Sequence, residues 1–177
     1  MLVVNLFSGP NGGKSVMAAN LFSRLKMQGI NAELVTEFAK DLTWEKRYDT
    51  LKNQVYLIGE QYQRMLRLKD QVDVLITDSP ILLGSIYCPD NYPQSWYDFN
   101  LWLHNQFNNL NFFIQRDFNQ YQKVGRKESK DDAFRIDSEI VGLLYDEKIL
   151  FKTIKWDGID IMIADILNNI RHISKTN

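Results

Sequence analysis

Cysteine occurs once in the 177-residue chain, at Cys88, which excludes an internal disulfide and leads us to expect a reducing, cytoplasmic setting. Cys88 stands in a Tyr-Cys-Pro loop with neither His104 nor His172 near it in sequence, so it reads as a bystander thiol rather than a nucleophile. An excess of one charge is also lacking. Lys and Arg number 21 against 22 Asp and Glu, a net charge of −1, so no overall field draws the chain to nucleic acid or to an acidic membrane. Apolar runs stop at about six residues, far short of a membrane span. The sequence passes directly into a strand pattern, so no cleaved leader is expected. Repeats, low-complexity tracts and Gly/Ser linkers are missing, so residues 1–177 are expected to form a single domain.

What is present is concentrated near the start. The apolar run Leu2-Val3-Val4-Asn5-Leu6-Phe7 is followed by Ser8-Gly9-Pro10-Asn11-Gly12-Gly13-Lys14-Ser15, and a helical pattern begins at Lys14. Strand, glycine-rich turn and a helix opening on Lys-Ser form the context of a phosphate-binding P-loop. Glycines let the turn curl so that several backbone N–H groups point inward, and the helix N-terminus adds partial positive charge. Gly9, Pro10, Asn11, Gly12, Gly13, Lys14, Ser15 and Val16 are therefore expected to bind a nucleoside triphosphate, with ATP and Mg²⁺ as cofactors. Lys14 would reach the outer phosphates, and the Ser15 hydroxyl would take one place on Mg²⁺. One position departs from the motif: Ser8 stands where glycine is expected, and a positive φ there would be strained.

Strand and helix signals alternate along the rest of the chain, which predicts βαβ units and a parallel sheet. Strands are expected at 2–7, 32–36, 72–77, 110–114 and 150–155, and helices at 14–28, 51–69, 96–108, 132–147 and 159–173. In helix 51–69, Val55, Ile58, Tyr62, Met65 and Leu66 recur at helical spacing. Residues 84–99 read as an irregular aromatic insertion. The expected architecture is a three-layer α/β P-loop NTPase fold on a mainly parallel five-stranded sheet, which binds ligands at the carboxyl ends of its strands.

The chemically promising residues fall at those ends. Asp78 closes Val74-Leu75-Ile76-Thr77, where a carboxylate commonly serves Mg²⁺ beside Ser15; the competing reading is a turn or N-cap aspartate. Glu37 follows the second strand and either accepts a proton from an acceptor hydroxyl or is merely solvated, with Asp41 one helical turn on as its substitute. Residues 115–131 form a basic segment that reads as a flap or as a solvated charge run. As a flap it would place Arg116 and Arg126 on the migrating phosphoryl group, with Lys123, Lys127 and Arg135 behind them. Gln54 and Arg64, with Glu60 and Gln61 on the same helix, either line an acceptor site or form its wet face. Trp44, Tyr87, Tyr92, Trp96 and Tyr97 either stack on a base or pack in the core. Trp156-Asp157-Gly158 follows the last strand, where such folds place the loop beside the base.

The P-loop, TEFAKD after the second strand, VLITDSP at the third and YQKVGRKESKDDAFRID behind the fourth occur in that order. Together they resemble the nucleoside and nucleotide kinase branch of P-loop proteins, in particular the small nicotinamide-riboside-kinase-like ATPases, many of them phage-encoded. The resemblance spans roughly residues 1–150. It implies that Glu37 holds the acceptor hydroxyl, that Asp78 serves magnesium or the acceptor, and that Arg126 is the flap arginine. The expected activity is transfer of a phosphoryl group from ATP to a nucleoside or nucleoside monophosphate, with Lys14, Glu37, Asp78, Arg116 and Arg126 as the catalytic set. The chain would act without a membrane, as monomer or homodimer. Two alternatives stay open: a kinase acting on a polynucleotide or on a modified base in DNA, and a non-catalytic ATP-binding regulatory module.

Overall fold

The computed structural model describes residues 1–116 and 130–176. The first strand, β1 (Leu2–Phe7), is buried along its whole length, which explains why it is apolar on both faces rather than alternating. Helix α1 (Lys14–Met27) follows the glycine-rich turn and ends in a Schellman motif, with Ile30 N–H on Leu25 O and left-handed Gly29 N–H on Lys26 O. Next come β2 (Ala32–Val35) and α2 (Phe38–Trp44). The expected helix over 51–69 is two pieces, α3 (Tyr48–Leu51) and α4 (Gln54–Leu66). The break has a local cause: the Asn53 side chain accepts from Tyr56 N–H at 3.1 Å and caps a new helix. On α4 the inward face carries Leu57, Ile58, Gln61 and Met65, so Val55, one of the residues at helical spacing, turns to solvent.

Strand β3 (Val74–Thr77) is fully buried. The expected irregular insertion, 84–99, opens on the short helix α5 (Leu83–Ile86) and stays irregular over 87–93, while the helix expected at 96–108 is α6 (Gln94–His104), with Pro93 supplying a fixed φ at its N-cap. Strand β4 (Asn108–Gln115), α7 (Lys130–Asp146), β5 (Phe151–Lys155) and α8 (Ile159–Thr176) complete the described chain.

The sheet order is β2-β3-β1-β4-β5, and every pairing is parallel. Leu2, Val4 and Leu6 of β1 point to the layer formed by α1 and α8, where they meet Met17, Leu21, Leu25, Met162 and Ile166. Val3 packs on the other face with Ile58 and Met65 of α4 and with Trp96 and Leu103 of α6. Phe7 and Phe113 share that second face with Ile136, Ile140 and Leu144 of α7. Burial of these side chains at about 25 cal/mol per Å² is what holds the three layers together. The strand order reverses at β1, so the turn after β1 opens onto the crevice at the carboxyl edge.

Candidate active site

The turn between β1 and α1 bends because two of its residues are left-handed, Asn11 at φ 61° and Gly13 at φ 85°. Gly13 is the N-cap of α1, and its carbonyl accepts from Met17 N–H at 3.0 Å. The first-turn N–H groups of α1 have no intrahelical acceptor, and they open toward the concave side with the positive end of the helix dipole. Gly12 N–H closes a turn onto Gly9 O at 3.2 Å. Lys14 Nζ donates to Ser8 O at 2.6 Å and to Gly9 O at 3.2 Å, so the ammonium group lies against the loop's own backbone.

Ser8 does not take the positive φ that its place in the motif suggested. It is buried, its hydroxyl donates to Gly9 O at 3.0 Å, and it fills the space over Gly12. A β-carbon at Gly12 would fall 1.6 Å from Ser8 Oγ. Serine at the start of the loop and glycine four residues on are therefore one steric solution.

At the carboxyl end of β3 the two oxygens of buried Asp78 are divided between two neighbours. Oδ2 accepts from Ser15 Oγ at 2.5 Å, and Oδ1 accepts from the backbone N–H of Glu37 at 3.1 Å. The carboxylate thus ties the start of α1 to the start of α2, and Glu37 stands beside it as the N-cap residue of α2. Behind this junction, buried Gln61 accepts from Phe38 N–H at 3.1 Å and donates to Thr77 Oγ1 at 3.4 Å. That assigns Gln61 to holding α2 against β3, rather than to a wet helix face.

The remaining candidates separate. Arg64 forms an ion pair with Asp41 at 2.7 Å and lies over the Phe38 ring at 4.6 Å, so Asp41 is committed to α4. Gln54 is buried, with Nε2 on Leu51 O at 3.5 Å, while Glu60 is half-buried. Trp96 belongs to the core, its indole N–H donating to Gly84 O at 3.1 Å, and Tyr92 packs edge-on against it. Tyr97 contacts Cys88 Sγ at 3.5 Å. Tyr87 and Trp44 are exposed. The aromatic insertion is therefore mainly a packing layer. Trp156 lies on the glycine-rich loop itself: a β-carbon at Gly13 would fall 2.3 Å from its Cζ3.

Arg116 occupies a different place from the one expected of a flap arginine. Its side chain is 8% exposed, and its Nε donates to Asp137 Oδ2 at 2.6 Å. Nη1 donates to Pro10 O at 3.0 Å and Nη2 to Ala133 O at 3.3 Å. Asp137, which sequence reasoning passed over, also accepts from Gly9 N–H at 2.6 Å. The signal available for it was only an acidic residue on a helix with charges all round. Arg135 pairs with Glu139 on the outside of α7. Arg126, Lys123 and Lys127 lie outside the described residues.

A wholly parallel 2-3-1-4-5 sheet with this loop after its central strand defines the class: the chain has the P-loop kinase fold. No protein-family model matches the sequence, and no curated protein matches it. Among solved structures it is similar to a NadR protein in complex with NAD and AMP-PNP, at 14% identity and a TM-score of 0.66 over 95% of this chain. It is also similar to a NadR protein in complex with NR, at 16% identity and 0.65 over 88%. A third is deoxyadenosine kinase from M. mycoides with dCMP and a flexible dCDP bound, at 16% identity and 0.58 over 96%. The chain spans about half of the NadR chains, 49% and 45%, and 99% of the deoxyadenosine kinase chain is covered. Among the described residues no helix is long and apolar enough to cross a membrane.

Proposed function

We propose that this protein transfers a phosphoryl group from ATP to a nucleoside or nucleoside monophosphate. The observation that carries the reading is the junction at Asp78, where one buried carboxylate meets the Ser15 hydroxyl of the phosphate-binding loop and the backbone of Glu37. Through Asp78 the loop is thereby joined to the backbone of Glu37, the residue proposed to face the acceptor. The kinase fold and the nucleotide- and nucleoside-type ligands named for the similar structures support the same reading.

The Ser15 and Asp78 side chains also suit Mg²⁺. That ion prefers oxygen ligands and keeps most of its waters, needing only one or two protein groups besides the substrate's phosphates. Bound there, it would neutralise charge on the triphosphate. The chain's own residues do the rest. The first-turn N–H groups of α1 cradle the phosphates, and Lys14 exchanges its hold on Ser8 O and Gly9 O for phosphate oxygens. Glu37 orients the attacking hydroxyl of the acceptor and takes its proton. Arg126 remains the candidate for charge in transit, on the sequence alone.

The test is direct. The protein is incubated with Mg-ATP and a panel of nucleosides, nucleoside monophosphates, nicotinamide riboside and 5′-hydroxyl oligonucleotides, and phosphorylated product is sought. The expected result is product from a small acceptor and a loss of at least about a hundredfold in kcat/KM for Lys14→Ala. ATP binding without product from any acceptor would leave a nucleotide-binding module in place of an enzyme.

A further inference from the structure

The phosphate-binding loop is held from outside as well as from within. α7 approaches it so closely that a β-carbon at Gly9 would fall 2.8 Å from Ala133 O, 3.0 Å from Asp137 Oδ1 and 3.2 Å from Arg116 Nη2. Into that contact the Asp137 carboxylate sends one oxygen to the Gly9 amide, at 2.6 Å, and the other to Arg116 Nε, at 2.6 Å. Arg116 then holds the carbonyl of the next loop residue, Pro10, at 3.0 Å, and its guanidinium lies over the Phe134 ring at 5.2 Å. Two consecutive loop residues are thus gripped, one by its donor and one by its acceptor, through a single ion pair 8% and 15% exposed. The ion pair is also hydrogen-bonded, which makes these contacts short and directional. Neither contact uses the first-turn amides of α1, so the grip leaves the concave side of the loop available to a polyphosphate.

We propose that Asp137 is a positioning residue for the donor nucleotide: acting with Arg116, it holds the first turn of the phosphate-binding loop in its binding shape. The inference rests on the reading of this loop as the triphosphate site. It accounts for the glycine at position 9 and places Arg116 behind the loop. A brace of this kind acts on the loop before any chemistry. Its loss should weaken ATP and ADP alike, because both present the same β-phosphate, while leaving the acceptor site at Glu37 and Asp78 untouched.

The test compares wild type with Asp137→Asn, which keeps the volume, and with Asp137→Ala and Arg116→Met, singly and combined. Dissociation constants for Mg-ATP and Mg-ADP are measured by calorimetry, with folding checked by circular dichroism. Expected are affinities about tenfold weaker for both nucleotides in Asp137→Ala, within the range over which linked sites affect one another. The double variant should be no weaker than the worse single one, because the pair acts as a unit. In the two Asp137 variants the KM of the acceptor and kcat at saturating ATP should stay within about twofold of wild type. In Asp137→Asn, the Gly9 amide proton should move upfield in the nitrogen–proton spectrum as its acceptor loses charge. Wild-type nucleotide affinity in folded Asp137→Ala would overturn the proposal, as would an unmoved Gly9 resonance. If wild type itself binds neither nucleotide, the triphosphate reading falls and the proposal with it. Binding without phosphotransfer would remove only the enzymatic reading.

Discussion

Gly13 shows how much a single position can carry. Its φ of 85° is one that an L-residue adopts at a penalty of about 1–2 kcal/mol, and the Trp156 ring occupies the space a β-carbon would need. Gly13→Ala is expected to lower the melting temperature, by roughly 2–4 °C for each kcal/mol in a chain of this size. Combining it with Trp156→Ala should relieve the steric part and leave the backbone part. Thermal denaturation of the two variants separates these terms, and a wild-type midpoint for Gly13→Ala would refute the assignment. Ser8, Gly9 and Gly12 follow the same logic of space. Ser8 fills what Gly12 leaves vacant, and Gly9 admits α7. The motif was legible as a string of residues, but the reason for each glycine was not, because each answers to a side chain or backbone from elsewhere.

Helix α6 carries a second lesson at the level of the element. Its last residue, His104, is buried, and desolvation pushes its pKa down from the ordinary 6.5 to about 4. The unfolded chain therefore takes up this proton first as pH falls. The stabilising contribution is intact above pH 6.5 and is lost progressively toward pH 4, to a limit of roughly 3 kcal/mol. His104→Gln should flatten that part of the acid limb in urea unfolding series between pH 4 and 7, and an unchanged slope would exclude His104 as the cause. The same helix seats Trp96 under α5, and its carboxyl end is joined to β4 by Asn109 Nδ2, which donates to His104 O at 2.6 Å. The sequence placed this helix at 96–108 and read 84–99 as irregular, on its prolines and aromatics, so the first turn of α6 was the part missed. Trp96, Asn100 and Leu103 recur at helical spacing on its buried face, while Pro93 fixes the start of the helix two residues before the expected one.

For the whole molecule, a net charge of −1 and a mainly packed aromatic insertion suit a small acceptor better than a strand of nucleic acid. Acceptor KM is accordingly expected to vary less than about threefold between 50 and 200 mM salt, whereas a protein neutralising several phosphates would weaken by orders of magnitude. Steady-state kinetics across that range decides between them. A steep decline with an oligonucleotide acceptor would favour the polynucleotide alternative.

Alternating apolar segments, each the length of a buried strand or an amphipathic helix, were enough to specify a parallel three-layer sheet. Gly-Gly-Lys-Ser behind the first of them marked the loop proposed to bind phosphate. Both are local signals, carried by periodicity and by backbone conformations that few residue types tolerate. Beyond placing Asp78 near Ser15, pairings across the chain were out of reach of such reading: Asp78 with the Glu37 amide, Arg64 with Asp41, and Asp137 with Gly9 and Arg116. A carboxylate's partner depends on which helix packs beside it, and that choice is made by the whole core at once.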